Sequence, residues 1–358
     1  MENLSKRKIV VAMSGGIDSS VAAALLKKAN FSMSGVFMKL ADLPRFRETE
    51  KRAKKVAKIL GIPFLVLDLR KEFKQRVIDR FLKEYKLGPT PNPCVFCNKE
   101  IKFGLLLEKA LKMDADFIAT GHYARLRRKI PSKSQIPKYK LLVAKDKEKD
   151  QSYFLWQLDQ KQLKHILFPI GDYTKTQVRN LAKKFKLPVL KVPESQEICF
   201  IQTPFAAARV NDSLKIHLKE KPGAIVDTRG KIIGEHQGLW LYTIGQRKGI
   251  GLPGGPYYVL DKNLKKNTLI VTKKEKDLYK RELVARNVSW ISGEELKLPL
   301  KVKVKIRYRH EPALAVITRS LKSKVYSLRF VQPQRAITPG QSVVFYRGKE
   351  LLGGGIIC

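Results

Sequence analysis

KIVVAMSGGIDSSVAAALLKK, residues 8–28, is the stretch that decides the fold. The apolar, β-branched run Lys8 to Met13 predicts a strand, and Ser19 to Lys28 carries apolar residues at helical spacing. Between them lies Ser14-Gly15-Gly16-Ile17-Asp18-Ser19. A strand that turns on glycines straight into a helix points successive amides and the helix N-terminus at one place, where an anion is welcome. Glycine lets phosphate oxygens approach the backbone, Ser14 and Ser19 add hydroxyl donors, and Asp18 suits a magnesium ion bridging phosphates. No Lys-Ser or Lys-Thr pair follows the glycines, which excludes a Walker A loop. A plain strand-to-helix turn capped by Asp18 and Ser19 is the other reading of the same residues.

Outward from this stretch, Gly35 to Leu40, Phe64 to Leu69 and Asp116 to Thr120 read as strands. They alternate with helical segments at Glu50 to Leu60 and Lys99 to Met113, the pattern of an α/β domain with a parallel sheet. GPTPNPCVFC, residues 88–97, holds three prolines and reads as a stiff loop carrying two thiols. Residues 127–140 suggest a mobile hairpin tip before a strand from Lys140 to Ala144, and Thr176 to Phe185 a further helix. After about Pro204 the chain turns to short strands between Gly and Pro, densest in GQRKGIGLPGGP at 245–256. From Leu283 the period is two. In Lys301 to Arg309, Val302, Val304, Ile306 and Tyr308 alternate with five basic residues, which predicts a half-buried strand with one basic face in a small barrel. The expected division is a catalytic domain at 1–207, a small β-rich domain at 208–270 and a C-terminal β-barrel at 271–358.

The 358 residues carry 72 Lys and Arg against 32 Asp and Glu, a net charge of +40. The excess is not a tail: 42 basic and 20 acidic residues fall in the first 200 positions, 30 and 12 in the rest. Charge spread over the whole body suits a protein that grips a nucleic acid, although solvated lysine-rich faces give the same composition. Four cysteines are too few for a disulfide scaffold, and Cys94 and Cys97 form a C-x-x-C pair. With no apolar stretch near 18 residues and no signal-like N-terminus, a soluble cytoplasmic protein with no membrane partner is expected.

The six-residue loop resembles the pyrophosphate (PP) loop of the ATP pyrophosphatase superfamily. Five further strings join it: PNPCVFCNKEIKFG at 91–104, ATGHYAR at 119–125, KDQSYFL at 149–155, SQEICFI at 195–201 and YTIGQRKGIGLPGGPYYV at 242–259. In that order, and over essentially the whole chain, they resemble the bacterial tRNA-specific 2-thiouridylases. The resemblance implies an adenine nucleotide α-hydrolase-like PP-loop domain and a sulfurtransferase. ATP would adenylate C2 of the wobble uridine in tRNA, and sulfur would displace AMP. It implies ATP contacts at Ala12, Met13, Ser14, Gly15, Gly16, Ile17, Asp18 and Ser19, with Met38 and Gly121 near the adenosine. Asn92, Pro93 and position 94 would meet the target base. His122, Lys149, Asp150, Gln151, Arg307, Tyr308 and Gln341 would meet tRNA. Cys199 would carry a persulfide and Cys97 would release its sulfur through a transient disulfide, both from segments read as loops, with a cysteine desulfurase or relay protein as sulfur donor.

One residue departs from the family pattern. Cys94 stands where the family usually has Asp, so the role of that carboxylate does not carry over. Cys94, Cys97 and Cys199 instead supply three thiolates, the number that holds a four-iron iron-sulfur cluster with one iron open. A redox couple and a metal-free relay use the same residues. Another PP-loop ATP pyrophosphatase and a non-catalytic RNA-binding iron-sulfur protein are the competing functions. Bland readings also stand beside the family ones, for His122 a satisfied core histidine, for Cys199 a small buried side chain and for the basic strand a solvated edge.

Overall fold

A computed structural model describes residues 7–129, 138–193, 198–200, 221–319 and 325–358. Residues 130–137 of the tip expected at 127–140, most of the SQEICFI string and the first residues of the expected middle domain lie outside them.

The first strands are β1 (Lys8–Ala12), β2 (Ser32–Lys39), β3 (Phe64–Asp68), β4 (Phe117–Ala119), β5 (Ala124–Lys129), β6 (Lys138–Val143) and β7 (Ile166–Leu167). Five form an all-parallel sheet in the order β3-β2-β1-β4-β7. β1 reads as unbroken apolar sequence because both its faces are covered. Ile9, Val11 and Met13 pack with α1 (Ile17–Lys28) and α2 (Pro44–Leu60). Val10 and Ala12 face the opposite core of Val95, Phe103, Leu106, Tyr153 and Trp156.

On that second side the chain forms α3 (Arg70–Phe73) and α4 (Asp79–Lys86) with a π-helical stretch Lys74–Ile78 between them. It then forms α5 (Pro93–Phe96), a second π stretch Cys97–Leu105 and α6 (Leu106–Lys112). The expected stiff loop therefore ends at Asn92, where Pro93 occupies the first helical turn with no amide proton to waste. Cys97 opens a helix and is buried, which corrects its placement in a loop. A short α7 (Gln160–Leu163) precedes β7, and α8 (Lys175–Lys184) begins with a capping box between Thr174 and Gln177.

The middle sheet has the order β10-β11-β8-β9, from β8 (Gly223–Val226), β9 (Ile232–His236), β10 (Tyr258–Asn263) and β11 (Thr268–Thr272). β11 runs through the expected boundary at 270. The last domain comprises β12 (Tyr279–Trp290), β13 (Leu300–Lys305), β14 (Ala313–Arg319), β15 (Tyr326–Arg335), β16 (Ser342–Arg347) and β17 (Glu350–Ile357). β12 pairs with both β15 and β17, which closes a six-stranded barrel. Lys301 and Lys303 face solvent while Val302 and Val304 are buried, as alternation requires, but β13 stops at Lys305 and leaves Arg307 and Tyr308 in the following turn.

The β5–β6 hairpin belongs to the barrel's sheet and not to the parallel one. β6 pairs with β17 through Leu141↔Leu351 and Leu142↔Glu350. Trp156 lies beside the junction: its Nε1 donates to Ser342 Oγ at 3.0 Å, and its ring lies where a Cβ on Gly354 would come within 2.8 Å. The glycine run in β17 lets an indole rest on bare backbone.

Candidate functional site

The loop after β1 is fixed by its own hydroxyls. Ser14 N donates to Ser19 Oγ at 3.1 Å, and Ser14 Oγ lies 3.1 Å from the same oxygen. Ser19 Oγ and Ser20 Oγ donate to Gly16 O. Gly15 has φ +72°, and a Cβ there would meet Thr49 O at 2.2 Å, so only glycine makes this turn. Ala12, Met13 and Ile17 are buried supports of the loop. Gly121 packs where a Cβ would lie 2.5 Å from Ser19 N, so the end of β4 touches the first turn of α1. Met38 is half-buried at the edge of the core on the thiol side.

Two partners of Asp18 were not legible in the sequence. The buried Lys175 donates to both its carboxylate oxygens at 2.8 and 2.9 Å, and Tyr123 Oη donates at 2.8 Å. The Thr174–Gln177 capping box announces the start of α8, but not that its first residue crosses to the loop. A carboxylate already neutralised by an ammonium is not an open magnesium ligand, so the metal role expected of Asp18 does not fit this arrangement.

The three thiols lie close enough to act on one another. Cys94 is half-buried on α5, Cys97 is buried, and Cys199 is exposed. Phe200, next to Cys199, packs edge-on against Phe73 and Phe81, and Ile198 joins Phe81, Tyr85 and Trp240. Apolar neighbours thus anchor the segment on both sides of Cys199, which is itself exposed as a residue. Burial pushes Cys94 up to about 11, with the nearby Cys199 adding to the rise, and pushes Cys97 up to about 12 against the pull of the Lys102 ammonium. Cys199 is also raised by its crowded surroundings, opposed by Lys102 and Arg45. Among the described residues no three His, Cys, Asp or Glu side chains converge to hold a metal ion, so the three thiols as placed do not fit a cluster.

Asn92 precedes α5 without a side-chain capping bond, and Pro93 is buried. Asn98, also missed in the sequence, donates from Nδ2 to Phe154 O at 3.2 Å while its buried Oδ1 has no partner.

The description "tRNA methyl transferase HUP domain" matches residues 7–203, "tRNA methyl transferase PRC-barrel domain" 211–273 and "Aminomethyltransferase beta-barrel domain" 280–357. The tRNA-specific 2-thiouridylase MnmA of Carboxydothermus hydrogenoformans is 44% identical over 376 aligned residues, covering 100% of this chain and 99% of that one. The enzyme of that name from Clostridioides difficile is 45% identical, covering 98% of each. This chain belongs to the tRNA-specific 2-thiouridylase family. The solved U34-tRNA thiolase NcsA of Methanococcus maripaludis is 19% identical with a TM-score of 0.37, over 60% of this chain and 66% of that one, a likeness too slight to bring anything to it.

For a 2-thiouridylase, the residues expected at tRNA are held more inwardly than a surface contact requires. His122 is buried between Phe103 and Phe168 with Nδ1 2.8 Å from Thr120 Oγ1, and burial keeps it well below the usual imidazole range. The buried Asp150 accepts from Ala144 N, Ser152 N and Ser152 Oγ. Gln151 Oε1 accepts from Tyr123 N, and Gln341 Nε2 donates to Thr90 O, tying the barrel to the proline-rich loop. Arg307 donates to Arg335 O, and the Tyr308 ring lies 4.5 Å from that of Phe154. Lys149 is half-exposed. No helix among the described residues is long and apolar enough to cross a membrane.

Proposed function

We propose that this protein is a tRNA 2-thiouridylase that adenylates C2 of the wobble uridine with ATP and then replaces that oxygen by sulfur carried on Cys199. The observation that carries the reading is the position of Gly121 and His122. Gly121 rests on the first turn of α1 beside the phosphate loop, and His122 packs against Phe103 on the π stretch that Cys97 opens. Nucleotide and sulfur chemistry thus share one wall.

In the first step the uracil O2 attacks the α-phosphorus of ATP held at Ser14–Ser19, pyrophosphate leaves with the electron pair of the broken P–O bond, and the N3 proton passes to solvent. A urea-like oxygen is a poor leaving group, and its adenylate is a good one. In the second step the terminal sulfur of a Cys199 persulfide attacks C2 and AMP departs with the C2–O pair. Cys97 then attacks Cys199 Sγ, and the S–S bond breaks toward the sulfur on C2. A 2-thiouracil remains, together with a Cys97–Cys199 disulfide that a thiol reductant reopens before a sulfur-donor protein, a desulfurase or relay, reloads Cys199. Asn92, Pro93 and Cys94 flank the target base. Magnesium would enter as the counter-ion of ATP, and no step is routed through it or through a cluster.

Incubation with ATP, tRNA and a persulfide donor, followed by nucleoside mass spectrometry, tests this. The expected product is 2-thiouridine with one AMP and one pyrophosphate per sulfur, and its absence with active donor overturns the proposal. Iron and sulfide analysis of anaerobically purified protein tests the relay: full activity without iron supports it, and activity that tracks a four-iron cluster replaces it.

A further inference from the structure

Lys102 stands five residues after Cys97 on the π-helical stretch Cys97–Leu105. On an α-helix, with 3.6 residues per turn, a residue five places on lies well round the cylinder from the first. The i→i+5 bonding of a π-helix widens the turn and brings it back over its starting point. This register is built into the side chains. A Cβ on Gly104 would lie 2.8 Å from Lys99 O, and Gln162 Nε2 donates to Phe103 O at 2.8 Å and to Lys99 O at 3.5 Å.

The ammonium so placed is half-buried, and among the described residues it has no hydrogen bond or ion pair. The acids near it in sequence are engaged elsewhere, Glu100 with Arg76 and Glu108 with Lys112. Cys97 shares its widened turn, and the Lys102 charge works against the burial that raises Cys94, Cys97 and Cys199. A partly desolvated cation with no carboxylate beside it is poised for an anion that comes and goes.

We propose that Lys102 is the counter-ion for the anionic sulfur passed between Cys199 and Cys97, held over the thiols by the π-helical register. The identity of that anion rests on the 2-thiouridylase reading. The presence of a cation over the thiols does not. Lys102 is a positioning residue: it keeps a persulfide or hydrosulfide beside the activated carbon and takes no part in bond making. Arg45, on α2, has a buried guanidinium nitrogen without a partner and acts on Cys199 alone, so it does not replace Lys102 at Cys97.

The test compares alkylation of Cys199 and Cys94 by iodoacetate and by neutral iodoacetamide, read by peptide mass spectrometry on the whole protein without ATP or tRNA. Both reagents need the thiolate, so their rate ratio cancels its population and reports local charge. Lys102→Met should lower the iodoacetate-to-iodoacetamide ratio about three- to tenfold, the effect of one nearby partly screened charge. Lys102→Arg should keep the ratio, and Lys112→Met should leave it unchanged. In turnover, Lys102→Met should slow 2-thiouridine formation at least tenfold while tRNA adenylate still accumulates, and Lys102→Arg should restore most of the rate. An unchanged ratio in Lys102→Met overturns the proposal, and so does a loss of turnover that arginine does not rescue. If the parent protein makes no 2-thiouridine but its ratio still depends on Lys102, the function fails and the counter-ion stands.

Discussion

Replacing Lys175 with Met should cripple ATP binding through Asp18. Lys175 is almost fully buried and meets both Asp18 oxygens, at 2.8 and 2.9 Å, beside the loop that turns its amides toward a phosphate. Without it, a carboxylate that is two-thirds covered keeps only Tyr123 as its described donor and stands as a bare negative charge beside the triphosphate. One unit of like charge at about 5 Å with an effective dielectric near 20 is worth about 3 kcal/mol, roughly two hundredfold in affinity. Calorimetric titration with ATP measures this directly, on protein whose circular dichroism matches the parent. The double variant Lys175→Met/Asp18→Asn removes the orphaned charge with its partner and should recover most of the loss, because the two sites are coupled and not additive. Parent-like affinity in Lys175→Met refutes the reasoning, and so does a double variant as weak as the single one.

Cys199→Ser and Cys97→Ser should each abolish 2-thiouridine formation yet allow tRNA adenylate to accumulate, seen as trapped labelled AMP, since activation uses the loop and not the thiols; a fully active variant removes its cysteine from the scheme. Lys305→Glu with Arg307→Glu should weaken tRNA binding and flatten its dependence on salt by about two ions released, with ATP affinity unchanged, and filter binding across a salt series measures both. Stability should fall as pH rises from about 9 through about 12. The native state keeps Cys94 and Cys97 protonated up to about 11 and 12 while the unfolded chain's thiols ionise near 9, so the unfolded state loses protons first. Urea midpoints between pH 8 and 10.5 should drift down in the parent and less in Cys94→Ala/Cys97→Ala; equal drift in both counts against buried thiols.

Local features were legible wherever one element determines its own geometry. The run from Lys8 to Lys28 announces strand, phosphate loop and helix because alternating faces, glycines and apolar spacing are properties of neighbours in sequence. The basic alternation of β13 is visible for the same reason. What depends on distant partners was not. Nothing in Ala124 to Lys129 says that this hairpin will dock on a strand more than 200 residues later. Three prolines before Cys97 predict a loop there, yet Pro93 starts the helix that buries it. The π turns read as ordinary amphipathic sequence, since Gly104 shows its purpose only against Lys99 O. The resemblance places Asp150 and Gln341 at the tRNA. Their side-chain bonds inside the protein, to Ser152 and to Thr90, are tertiary facts with no local signature.

The pairing of β6 with β17 turns two domains into a gauge. A hydrogen-bonded sheet yields little along its strands, and this one runs from the hairpin that follows Gly121 and His122 into the closed barrel that carries Lys301 and Lys303. Continuous hydrogen-bonded sheet therefore connects the basic strand to the segment that follows Gly121 and His122. Under the proposed function, a tRNA gripped at the barrel would present to the loop whatever lies at that reach, so selection would fall on the dimensions of the folded polymer before it falls on any letter of its sequence.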